Sequence, residues 1–264
     1  MKFMTIASGS SGNASYVAGS FGALLCDCGI STKRIENALR GAGEDPADLS
    51  GIFLTHEHHD HIAGLGVFTR RYKTPVYATE GTIRGIRSAK PDMVDPALFH
   101  VIQAGKPLEV CGITVTSAPI PHDANEPVAY TFSEAGKKIC LATDLGKRTD
   151  ELEEFLQEAD ILLLEANHDV RMLEVGPYPY PLKQRILGNQ GHLSNTEAGR
   201  LLARVVCPET RYVFLGHLSQ KNNYPPLCYE TVRGELRGNH YGLTAEDIHL
   251  AVASPDEPGE LIEI

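Results

Sequence analysis

Thr55-His56-Glu57-His58-His59-Asp60-His61 directly follows the apolar run Ile52-Phe53-Leu54. The pattern predicts a buried strand that ends in a ligand-rich loop. His56, His58, Asp60 and His61 place four metal-type side chains within six positions. In extended chain, side chains two apart share a side. His56 and His58 are therefore expected to face one ion. The turn that follows is expected to swing Asp60 and His61 towards a second. The helical zinc motif His-Glu-x-x-His is excluded, because Asp60 stands where its second His is required. The spacing argues for a loop site, and against a merely solvated His-rich loop.

The same pattern returns downstream. His122 follows a strand expected over 109–117, in Ala118-Pro119-Ile120-Pro121-His122-Asp123, where two Pro stiffen the backbone. Asp144 follows a strand expected at 137–142, Glu165 follows Ile161-Leu162-Leu163-Leu164, and His217 follows a strand expected at 211–215. His, Asp and Glu are costly to bury unpaired, so their repeated placement after apolar runs argues for one site gathered at strand ends.

The order His-x-His-x-Asp-His, His, Asp, His resembles the metallo-β-lactamase superfamily of metal-dependent hydrolases. The resemblance implies an α/β fold, a four-layered αβ/βα sandwich of two mixed β-sheets flanked by helices, with residues 1–264 as a single domain. It implies that His56, His58 and His122 hold one divalent ion, that Asp60, His61 and His217 hold the other, and that Asp144 bridges them. Asp60 is counted among the catalytic groups as well. Asp27 matches an early Asp that orients the ligand loop from behind. No Cys stands at a ligand position, so zinc, manganese and iron all suit the donor set.

Glu165-Ala166-Asn167 and Gly191-His192-Leu193-Ser194 resemble the ribonuclease Z side of the superfamily. There the resemblance implies that His192 is a general acid protonating the leaving oxygen, held in place by Glu165. Ala7-Ser8-Gly9-Ser10, Glu165-Ala166-Asn167-His168-Asp169 and Gly191-His192-Leu193-Ser194-Asn195 resemble the YycJ/WalJ-like group, described as nucleases, some as 5′→3′ DNA exonucleases. The expected activity is hydrolysis of a phosphodiester by water shared between two ions, with nucleic acid as substrate and DNA ahead of RNA. One alternative is a thioester or lactone hydrolase of the glyoxalase II kind. Another is a metal-binding regulatory module without turnover, against which the intact ligand set speaks. The short interval from Asp144 to Glu165 leaves no room for a long tRNA-gripping arm, and no insert of domain size precedes His217.

A net charge of −10 excludes unspecific attraction of nucleic acid by the surface as a whole, so a polyanion needs a local basic patch. Six Cys without a Cys-x-x-Cys pair suggest reduced, cytoplasmic usage. The opening residues lack the apolar run of a signal peptide, and no stretch approaches a membrane span. Periodicity predicts strands at 3–6, 14–18, 22–26 and 128–133, and helices at 32–40 (capped by Ser31), 63–72, 79–88 and 226–236. Ser194 and Glu197 form a capping box opening a helix to about 206. Residues 89–107 read as irregular, 176–181 as a Pro-rich loop and 8–13 as a plain hairpin turn. His168 and Asp169 either support the site or begin a surface helix. His59, His100, His240 and His249 read as ordinary.

Overall fold

The computed structural model describes residues 1–264. The chain opens with β1 (Lys2–Ala7), β2 (Ala14–Ala18) and β3 (Ala23–Cys26), paired as an antiparallel meander. Next come α1 (Thr32–Gly41), β4 (Leu49–Phe53), α2 (His59–Ile62), α3 (Leu65–Tyr72), β5 (Val76–Thr79), α4 (Glu80–Ala89) and β6 (Phe99–Ile102). Then follow β7 (Leu108–Val110), β8 (Ile113–Pro119), β9 (Val128–Glu134), β10 (Lys137–Ala142), α5 (Asp150–Leu156), β11 (Ile161–Glu165), α6 (Val170–Val175) and α7 (Tyr180–Leu187). The chain ends with α8 (Asn195–Val205), β12 (Tyr212–Gly216), α9 (Pro225–Leu236), β13 (Leu250–Val252) and β14 (Ile262–Glu263).

The strands make two mixed seven-stranded sheets, ordered β14-β1-β2-β3-β4-β5-β6 and β13-β12-β11-β10-β9-β8-β7. The expected α/β class with two mixed sheets is thus observed. β3 to β6 run parallel in the first, and β10 to β13 run parallel in the second. Parallel strands need crossovers, and the helices supply them.

Backbone contacts divide the chain into two compact units. The first comprises Met1–Pro119, Ala124–Gly136 and Ser254–Ile264. Its core includes Phe53, wholly buried, stacked on Tyr77 at 4.7 Å and edge-on to Tyr130 and Phe132. Burying one such ring contributes roughly 2 kcal/mol. Tyr130 also donates its hydroxyl to Leu54 O at 2.8 Å, and Val128 N–H donates to Thr55 O. β9 therefore fixes the segment that leads from β4 into the ligands. The second unit comprises Ile120–Asp123 and Lys137–Ala253. Its central strand β11 is buried at every position, as an unbroken apolar run requires.

Several local expectations are corrected. The stretch 109–117 is two strands, because Cys111 and Gly112 both take positive φ (46° and 82°) and make a tight hairpin. The irregular segment 89–107 contains β6. Ser31 occupies the cap position of α1 without a side-chain cap bond. The Pro-rich loop ends early: Tyr180 and Pro181 open α7, where Pro has no hydrogen bond to lose. Ser194 does cap α8, accepting from Glu197 N–H, but the Glu197 carboxylate turns to Arg148 and Arg200 instead of closing the box.

Candidate metal centre and acid–base pair

In the first unit the four ligand-type side chains of the opening motif gather where β4 ends. His56 and His58 rings lie 4.6 Å apart, and His56 and His61 rings 4.2 Å apart. Asp60 Oδ2 lies 3.6 Å from His61 Nε2. The loop reading needs one correction: Asp60 and His61 sit on the single helical turn α2, and only His56 and His58 lie on extended chain. Asp27 orients the set from behind, as expected. Its carboxylate receives His61 Nδ1 at 2.8 Å, Thr55 N–H at 2.9 Å and the Thr55 hydroxyl. Holding Nδ1 in this way leaves His61 Nε2 as the nitrogen with a lone pair for a cation. His59 is exposed and points outside the cluster, as expected.

The sequence pattern does not single out Asn13. Its amide nitrogen lies 3.1 Å from His61 Nε2, and its backbone N–H donates to Asp60 O at 2.8 Å. The turn at 8–13 therefore grips the ligand helix and is more than a plain hairpin. A small polar residue closing a Gly/Ser turn was the only signal available.

The second unit collects His122, Asp144, Glu165, His192 and His217. His122 Nδ1 faces Gly191 O at 3.1 Å, and its Nε2 stands 3.6 Å from Asp144 Oδ1. His217 Nδ1 meets Glu165 Oε1 at 3.0 Å, and its Nε2 likewise stands 3.6 Å from Asp144 Oδ1. His192 Nδ1 meets the same Glu165 oxygen at 2.8 Å. Glu165 Oε2 accepts backbone N–H groups of Leu145 (2.7 Å) and Leu193 (3.0 Å). Burial alone would raise this carboxyl, but the two imidazoles and their hydrogen bonds outweigh it and hold the pKa down to about 2. Asn167 donates to His217 O at 2.9 Å and steadies the His217 backbone.

The donor set fits divalent metal ions. Ligand atoms 2.0–2.2 Å from a tetrahedral ion lie roughly 3.3–3.6 Å from one another. The approaches of His122 Nε2 and His217 Nε2 to Asp144 Oδ1 are of that size and too long for hydrogen bonds. Each of these imidazoles has its other nitrogen occupied by a carbonyl or a carboxylate, the usual arrangement behind a metal-bound His. Asp144, Glu165, His192 and His217 also bring ligand atoms within 4.8 Å of one another. His100, His240 and His249 lie on rings of Tyr77, Tyr241 and Tyr212 and in neither cluster.

The similarities to known proteins agree with this geometry. The chain is 38% identical over 264 residues to the exodeoxyribonuclease WalJ of Streptococcus pneumoniae, covering 100% of this chain and 98% of that protein. It is 38% identical to the exodeoxyribonuclease YycJ of Bacillus anthracis, covering 94% of each. Among solved structures, Zn(2+)-bound PqqB from Methylobacterium extorquens shares the fold with a TM-score of 0.70, at 18% identity and full coverage of both chains. The β-lactamase superfamily domain matches residues 23–217, the span from β3 to His217, and to that superfamily the chain belongs.

Proposed function

We propose that the chain is a divalent-metal-dependent phosphodiesterase that shortens DNA, working as one catalytic domain over residues 1–264. In this reading His56, His58 and His122 hold one ion, Asp60, His61 and His217 hold the other, and Asp144 serves both. The observation that carries it is Glu165: one buried carboxylate binds Nδ1 of both His217 and His192. A ligand-type imidazole and a solvent-reaching one are thereby tied to a single anion, since His192 keeps 16% of its side chain exposed and Glu165 none. The exodeoxyribonuclease relatives favour DNA as the substrate.

Bound divalent ions supply Lewis-acid neutralisation of phosphoryl charge and acidify water. The protein's own groups do the rest. Glu165 keeps Nδ1 of His192 protonated, so Nε2 is the nitrogen that carries a proton to the leaving oxygen. Asp27, Gly191 O and Glu165 fix the tautomers of His61, His122 and His217. Asp60 contributes both charge and alignment at the mouth of the motif.

The deciding assay compares end-labelled single- and double-stranded DNA and RNA with bis(p-nitrophenyl) phosphate and S-lactoylglutathione, using Mn²⁺- and Zn²⁺-loaded protein. DNA shortened from its 5′ end is the expected result. Thioester turnover without any phosphodiester hydrolysis would overturn the reading.

A further inference from the structure

A cavity of about 330 Å³ opens beside His192, within the second unit, and the scheme above does not use it. Its lining includes Lys147, Arg148, His168, Asn189, His192 and Ser194. His168 is the unusual member. Its residue is 1% exposed, and neither ring nitrogen has a hydrogen-bond partner. An imidazole buried without partners is costly, and such groups are usually satisfied by a ligand or water. Ser194 caps the eleven-residue α8, accepting from Glu197 N–H, and the positive end of the helix dipole favours an anion. Lys147 is exposed at the rim. Arg148 is already held by Glu197 at 2.9 Å and Glu153 at 3.7 Å, so Lys147 carries the uncompensated charge.

We propose that this cavity is a subsite for a second phosphate of the substrate, the one next to the bond being cleaved, on the leaving-group side. The placement follows from His192, which lines the cavity and points its other nitrogen away from Glu165. His168 donates one ring N–H to a phosphate oxygen, Lys147 provides the charge, and the positive end of the α8 dipole adds to it. Lys147 and Asn189 also line a larger hollow of about 610 Å³ on their other side, a route by which a longer strand leaves the site. The subsite rests on the phosphodiesterase reading but goes beyond it, because the metal centre alone requires only one phosphate.

The experiment measures kcat/KM of the metal-loaded protein on three thymidine dimers: TpT, 5′-phosphorylated pTpT and 3′-phosphorylated TpTp. One of the two phosphorylated dimers is expected to exceed TpT by at least tenfold, through KM more than kcat, and which one it is tells the polarity of the leaving strand. Lys147→Ala and His168→Gln are each expected to bring that ratio close to one. Lys33→Ala, on α1 of the first unit and outside the cavity lining, controls for loss of surface charge and is expected to keep it. Equal rates on all three dimers in the wild-type protein overturn the subsite while leaving the phosphodiesterase reading intact. So does a preference that survives Lys147→Ala, a change at an exposed position that does not threaten folding. Failure to cleave any dimer sinks both readings.

Discussion

Glu165 satisfies four donors with one buried carboxylate: two imidazoles and two backbone N–H groups. That is why it stays anionic although no part of it reaches water. Its two roles separate by mutation. His192→Ala is expected to slow turnover by ~10²–10⁴-fold while the bound metal content stays unchanged by elemental analysis. Full activity in that variant removes His192 from proton transfer. His168 makes a different prediction. Burial lowers its pKa from 6.5 to about 4, so the native state takes up fewer protons than the unfolded chain between those values. Stability is therefore complete above about pH 6.5 and falls as the pH drops towards 4, by roughly 3 kcal/mol from this residue. His168→Gln has no such proton to bind. Denaturant midpoints at pH 7 and pH 4.5 should differ less for that variant than for the wild-type protein, and an equal difference excludes the effect.

The elements explain why these side chains arrive at their respective clusters. Asp27 and His217 stand one position past the ends of β3 and β12, Asp144 two past the end of β10, and all three take left-handed backbone (φ 61°, 56° and 62°). Non-glycine residues rarely accept this conformation, and it marks sharp turns at functional sites. The sharp turn leaves each of them deeply buried beside its cluster. α2 is docked through its backbone: Asp60 O accepts from Asn13 N–H, His61 O accepts from Cys28 N–H, and Gly64 N–H donates to Cys28 O, each at 2.8 Å. Gly29 lies against this turn so tightly that a Cβ would stand 1.7 Å from Asp60 O. Gly29→Ala is expected to cost about 3 kcal/mol or more and to release metal, because backbone must move. Gly41→Ala, with nothing within 4 Å of the added atom, is expected to be neutral or slightly stabilising. Comparable midpoints for the two variants, by urea unfolding, would contradict the docking argument.

At the scale of the molecule, the acidic balance of −10 means that the proposed phosphate substrate would have to be drawn by local features, the proposed cations and the basic rim at Lys147. No helix is long and apolar enough to cross a membrane. Ions that bind only the folded state stabilise it by about 4 kcal/mol at ~1,000 times their Kd. Chelation is accordingly expected to lower Tm by about 10 °C, read by calorimetry, with recovery on returning Zn²⁺ or Mn²⁺. An unchanged Tm with and without chelator would argue against any resident ion.

The metal-type side chains, their spacing and their positions after apolar runs were legible in the sequence, because strand periodicity and donor chemistry are local properties. So was the start of α8, since a cap is decided within four residues. The helical turn under Asp60 and His61 was not, because four residues carry too little periodicity to be told from a loop. Nor were the grip of Asn13 on His61, 48 positions away, or the joining of His192 and His217 through Glu165, at separations of 27 and 52. Those contacts depend on which strand ends become neighbours, and hydrogen-bond geometry between remote segments exists only once the sheets have formed.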